Sequence, residues 1–152
     1  MGYDASAVKS RYGRLPKTDD QTLNYAKAVK LIVGADGKIP AAEAQALRKG
    51  LGRLGATQDL IDEVDKFDHT SAKLEDLLGS MTKGGVRARM LLRDAIEISR
   101  ADGHYADEER AAAARAAQLL GVDASTLKSI EALVEMEHAV ASLRKALFPK
   151  KA

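Results

Sequence analysis

The sequence has no cysteine and no tryptophan, only two phenylalanines and four tyrosines, and three prolines among 152 residues. Without cysteine there is neither a disulfide framework nor a thiolate metal site, which excludes the zinc-ribbon and thiol-redox classes. An excess of one charge is missing too. The 24 basic side chains face 22 acidic ones, for a formal charge of +2, too near balance to argue for nucleic acid. The most basic stretch, "KGGVRARMLLR" (83–93), has no interleaved aromatic residue for base stacking and reads as a solvated helix start. No apolar run approaches the roughly 20 residues that span a bilayer, and "MGYDASAVKS" (1–10) lacks the apolar region of a signal peptide. A cytoplasmic protein with no direct membrane insertion is the expectation.

What remains is alanine, leucine and charged helix formers, with Pro16, Pro40 and Pro149 placed where segments would begin or end. No segment alternates with period two, so the fold class is all-α. Apolar periodicity predicts helices at about 19–35, 40–54, 57–67, 72–78, 86–101, 106–120 and 124–147, the last with a break near His138 as an open alternative. The implied organisation is an N-terminal extension (1–18), one compact helical domain (19–147) and a short tail (148–152). The loop "GSMTKGG" (79–85) divides the domain into halves of about 19–78 and 86–147.

Within the first half, "ADGKIPAAE" (35–43) has the spacing of the second half of a calcium-binding EF-hand loop: Asp36, Gly37, Ile39 and Glu43 fall at positions 5, 6, 8 and 12. Positions 1 and 3, which should carry ligands, are Ile32 and Gly34. At an offset of 66 the pattern returns. Ala35, Asp36, Gly37, Glu43, Leu54 and Gly55 recur as Ala101, Asp102, Gly103, Glu109, Leu120 and Gly121, and the empty positions recur as Ile98 and Arg100. A unit that repeats both its presences and its absences is a helix–turn–helix used in duplicate, and equal spacing predicts halves related by a pseudo-two-fold axis.

Much of the unit has a structural explanation. Gly37 and Gly103 can end a helix with positive φ, Glu43 and Glu109 lie in a first helical turn where carboxylates suit the macrodipole, and Ile39 and Tyr105 act as apolar plugs. Asp36 and Asp102 fit less well, since a negative charge in a last turn costs roughly 0.3–1 kcal/mol. Either an Asx-type bond to the turn backbone or a hard divalent cation such as calcium offsets that cost. In the second copy Asp102, Asp107, Glu108 and Glu109 crowd together without an intervening basic residue, whereas Lys38 interrupts the first copy. Cation binding is therefore expected to be stronger at the second turn. No enzyme is expected: His69, His104 and His138 are scattered, the glycines of "GLGRLG" (50–55) lack the Lys-Ser/Thr of a phosphate loop, and no nucleophile has a base beside it.

The tandem "ADG…E" signature, preceded by an amphipathic helix and followed by one ending in Leu-Gly, resembles the TerB-like tellurite-resistance family over roughly residues 20 to 145. The resemblance implies one all-α domain with pseudo-two-fold halves, a stress-response context with protein partners in membrane-associated assemblies, and metal ions held by acidic turn residues. Carried onto this sequence, the metal candidates are Asp36, Glu43, Asp102 and Glu109, with Asp107 added from the second copy's denser acidic run. The first copy departs from that run, with Ala41 and Ala42 where the second has Asp107 and Glu108. No organic cofactor is expected. Two functions follow: a small non-enzymatic cation-binding domain, or a metal-free helical adaptor for protein–protein interaction.

Overall fold

The computed structural model describes residues 6, 19–34, 39, 41–53, 55–78, 83–100, 105 and 107–150. These form seven helices: α1 (Asp19–Val33), α2 (Ala41–Arg53), α3 (Gln58–Lys66), α4 (Leu74–Leu78), α5 (Val86–Ser99), α6 (Asp107–Leu119) and α7 (Ala124–Leu147). The expected all-α class holds, and α7 runs without interruption past His138. No described helix is long and apolar enough to cross a membrane.

Helices α1 and α5 pack on each other at the centre. Each outer helix, α2 and α6, touches both of them, while α3 lies on α1 and α2 and α7 lies on α5 and α6. Exchanging the halves leaves this set of neighbours unchanged, as a pseudo-two-fold axis requires. The repeat explains why. Helices α2 and α6 start and stop at residues 66 apart, and both end in the same hydrogen-bonded turn. Gly55, at φ 98°, donates to Gly52 O while Ala56 donates to Leu51 O; Gly121, at φ 70°, donates to Gln118 O while Val122 donates to Ala117 O. This is the Schellman arrangement, and the left-handed φ is the reason each copy needs its Leu-Gly. Gly37 and Gly103, expected to act similarly, lie outside the described residues.

Small side chains let the central helices approach closely. Ala28, Val29, Ala88, Leu91, Leu92 and Ala95 are all buried at the α1–α5 contact and around it. Gly50 extends this to α2 and α5: a Cβ built there would stand 2.5 Å from Ile98 Cγ1. It is a contact residue within α2. Gly50→Ala should therefore destabilise the fold by about 1–3 kcal/mol through overpacking, even though alanine is favoured in a helix by roughly 1 kcal/mol. Urea denaturation checks the sign, and Gly50→Ala should cost less in an Ile98→Ala background, which removes the Cγ1 that the new methyl would strike.

The halves differ after their third helix. In the first, the chain leaves α3 at Phe67, makes an Asx turn in which Asp68 Oδ1 accepts from Thr70 N (2.9 Å) and Thr70 Oγ1 (2.6 Å), and returns α4 onto α1. In the second, α7 starts from Asp123, whose carboxylate accepts from Thr126 N at 2.7 Å, and simply continues. From Ala139 to Lys150 every residue is exposed.

Candidate functional site

The half-loop's missing positions have a packing explanation. Ile32 and Ile98 are buried in the core, so neither could present a ligand to a turn. Gly34 has no room for a side chain, since a Cβ there would lie 2.8 Å from Ile39 Cδ1 and 2.9 Å from His69 Cδ2. Its counterpart Arg100 reaches away to an ion pair with Glu135 of α7. Ile39 and Tyr105, expected as apolar plugs, are half-buried.

The glutamates that end the two half-loops meet. Glu43 in the first turn of α2 and Glu109 in the first turn of α6 line one cavity together with Val33, Ala46, Ile98 and Ser99. Glu43 and Glu109 are 66 apart, and so are Val33 and Ser99, so matching positions of the two halves line the same cavity. Its volume is about 20 Å³, room for a single water-sized occupant. The Oε2 atoms of both glutamates are buried. Two carboxylates sharing one small space repel each other, and positive charge between them relieves that repulsion. The positive ends of α2 and α6 supply part of it.

Of the residues read as metal candidates, Glu43 and Glu109 are thus brought together, whereas Asp107 and its neighbour Glu108 are exposed on α6 and do not line the cavity. Asp36 and Asp102 lie outside the described residues. Among the described residues no three of His, Cys, Asp and Glu gather as a metal-holding group. The sequence suggested two separate acidic turns; the described glutamates belong to one shared cavity.

The second turn is also tied to α7. Arg110 stacks 4.5 Å from the centre of the Tyr105 ring and pairs with Glu131 at 3.0 Å. Burial first, and then the nearby Glu131 carboxylate, hold the Tyr105 hydroxyl far above the ordinary phenol range. In the first half Arg48 plays the matching part, joining α2 to α3 through Asp65 (2.9 Å) and Asp62 (3.4 Å).

Two polar groups escaped the sequence reading. Arg93, taken there as part of a solvated helix start, is 5% exposed, beside Asp94 at 3%. It lies 3.3 Å from Asp94 Oδ1 and 3.0 Å from Glu137 Oε1 of α7, and pairs also with Glu97; Tyr25 of α1 donates to Asp94 Oδ2 at 2.6 Å. Lys30 is buried under the end of α3. The available signal was that Arg93 and Asp94 interrupt the apolar stripe from Leu91 to Ile98, where a surface helix would show them on its outer face.

A sequence model of the family described as tellurite resistance protein TerB matches residues 22–132. Among solved structures, a tellurite resistance protein from Nostoc punctiforme is similar in fold, with a TM-score of 0.80 at 24% identity, over 97% of this chain and 93% of that one. No curated protein matches the chain.

Proposed function

The chain belongs to the TerB tellurite resistance family, and from that premise we propose that it is a small non-enzymatic domain that binds one divalent cation between its halves. The observation that carries the reading is that Glu43 and Glu109 line one cavity. The donors suit the group: carboxylate oxygens, with Ser99 at the same wall, are hard ligands of the kind that calcium and magnesium take, and among the described residues no nitrogen or sulfur side chain lines the space. Glu43 and Glu109 would hold the ion, and Asp36 and Asp102 stand seven residues before each in the sequence. The ion would supply charge compensation and a bond between α2 and α6. Since no nucleophile with a base is evident, the reading is one of binding.

Calorimetric titration with calcium, magnesium and manganese, together with melting curves, tests this. One ion per chain is expected, and at 100 times its dissociation constant it should add about 2.7 kcal/mol to stability, on the order of 5–10 °C in Tm for a chain of this size. Glu43→Gln and Glu109→Gln should each abolish the rise, because neither turn forms the site alone. A cation effect that survives Glu43→Gln would return the site to the second turn. Identical melting in millimolar divalent ion and in chelator would end the cation reading.

A further inference from the structure

We propose that this chain forms a homodimer through an antiparallel pairing of the outer face of α7 with the same face of a second copy. Helix α7 has two apolar faces. One, carrying Leu127, Ile130 and Val134, is buried against the domain. The other carries Leu133, Met136, Val140, Leu143 and Leu147, which are 45%, 59%, 53%, 61% and 62% exposed. Their spacing alternates three and four residues, the repeat of a coiled-coil seam, with Leu133, Val140 and Leu147 at one core position and Met136 and Leu143 at the other.

Three observations select a second copy as the occupant. The first is area. The exposed parts of these five side chains amount to roughly 500 Å² per chain, near the upper limit for a patch on a monomer. Two copies related by a two-fold axis together reach about the 1,000 Å² that a specific interface needs. The second is helix stability. From residue 139 to the end of α7 every residue is exposed, and a helical stretch that short is marginal without packing. Pairing supplies the missing contact.

The third observation is what flanks the seam. On one side stand Glu137 and Arg144, on the other Ala132, Ala139 and Ala146. In an antiparallel pair each flank meets the same flank of the partner, so Arg144 of each chain falls opposite Glu137 of the other, and the alanines let the axes approach closely. Glu137 already receives Arg93 of its own chain, yet its side chain is 41% exposed and accessible to a second cation. A parallel pair would set the charged flank against alanines and gain neither contact.

Sedimentation velocity of the full chain between 1 and 100 μM, taken here as roughly the range for an interface of this size, gives the first readout. The wild type is expected to be dimeric at the upper end, and Leu143→Glu and Val140→Glu monomeric with their core melting transition retained, since both sites lie outside the core. Orientation is read from disulfides, which have no background in a chain without cysteine. Mixed Ala139→Cys and Ala146→Cys chains should cross-link to each other in preference to themselves. A wild type that sediments as a monomer at 100 μM, or a dimer that survives Leu143→Glu, overturns the proposal. Preferential cross-linking of Ala139→Cys to itself overturns the antiparallel arrangement.

Discussion

Arg93→Met is expected to cost about 3–5 kcal/mol of folding stability, the range seen when one partner of a buried ion pair is removed, and hence on the order of 10 °C or more in Tm. The cost does not come from an exposed salt bridge, which is worth at most about 1 kcal/mol. Asp94 is buried at 3% exposure, accepts from the Tyr25 hydroxyl at 2.6 Å, and in the variant would lose the guanidinium charge that stands 3.3 Å from its carboxylate. Arg93 also binds Glu137 through two nitrogens, at 3.0 and 3.2 Å, and so fastens α7 to the central helix. Asp94→Asn in the Arg93→Met background should recover part of the loss, because it removes the buried charge that Arg93 faced. That double-mutant coupling is the measurement that separates charge burial from lost packing. If the two substitutions add, the network is only volume.

Lys30→Met should cost about 2–4 kcal/mol, since hydrogen bonds to a charged donor contribute more than neutral ones and the acceptors left behind are partly buried. The ammonium donates to Phe67 O at 2.6 Å, Val64 O at 2.8 Å and Asp65 O at 3.1 Å, carbonyls at the end of α3, of which Val64 O also accepts from Phe67 N at 3.1 Å. Phe67 adds its ring, 6.0 Å from Nζ. Burial pushes the Lys30 pKa down while the charges of Asp65 and Asp68 draw it back up. Methionine keeps much of the stem's volume, so the loss reports the bonds. Denaturant titration gives the magnitude, and hydrogen exchange of the amides from 64 to 68 should quicken more than that of α5. Equal acceleration throughout would mean that Lys30 does not act as a local cap.

The second half shows why the lysine is there. The residue 66 positions after Lys30 is Ile96, buried in the core. Its neighbour α7 does not end at the corresponding place, so the carbonyls that Lys30 serves in one half are bonded within the helix in the other. Two halves with matching helix neighbours are thus finished in two ways. The early stop of α3 requires a buried cation, and the continuation of α7 leaves an apolar face outside.

Local rules were enough for much of this protein. The helix spans, the Leu-Gly stops at Gly55 and Gly121, the duplication at an offset of 66 and the all-α class follow from periodicity, propensity and capping, because each depends on residues a few positions apart. The same rules picked out Glu43 and Glu109. That these two share one cavity was decided by the packing of α1 against α5, which carries the start of α2 to the start of α6 from 66 residues away. Sequence spacing contains no such distance, which is why the turns read as two sites. Burial of Arg93, Asp94 and Lys30 was hidden for a related reason: a charged side chain in a helix is read as surface until its partners on other helices are known. The seam of α7 is the reverse case, legible as apolar periodicity in the sequence and shown by the fold alone to lie outside the domain's own core.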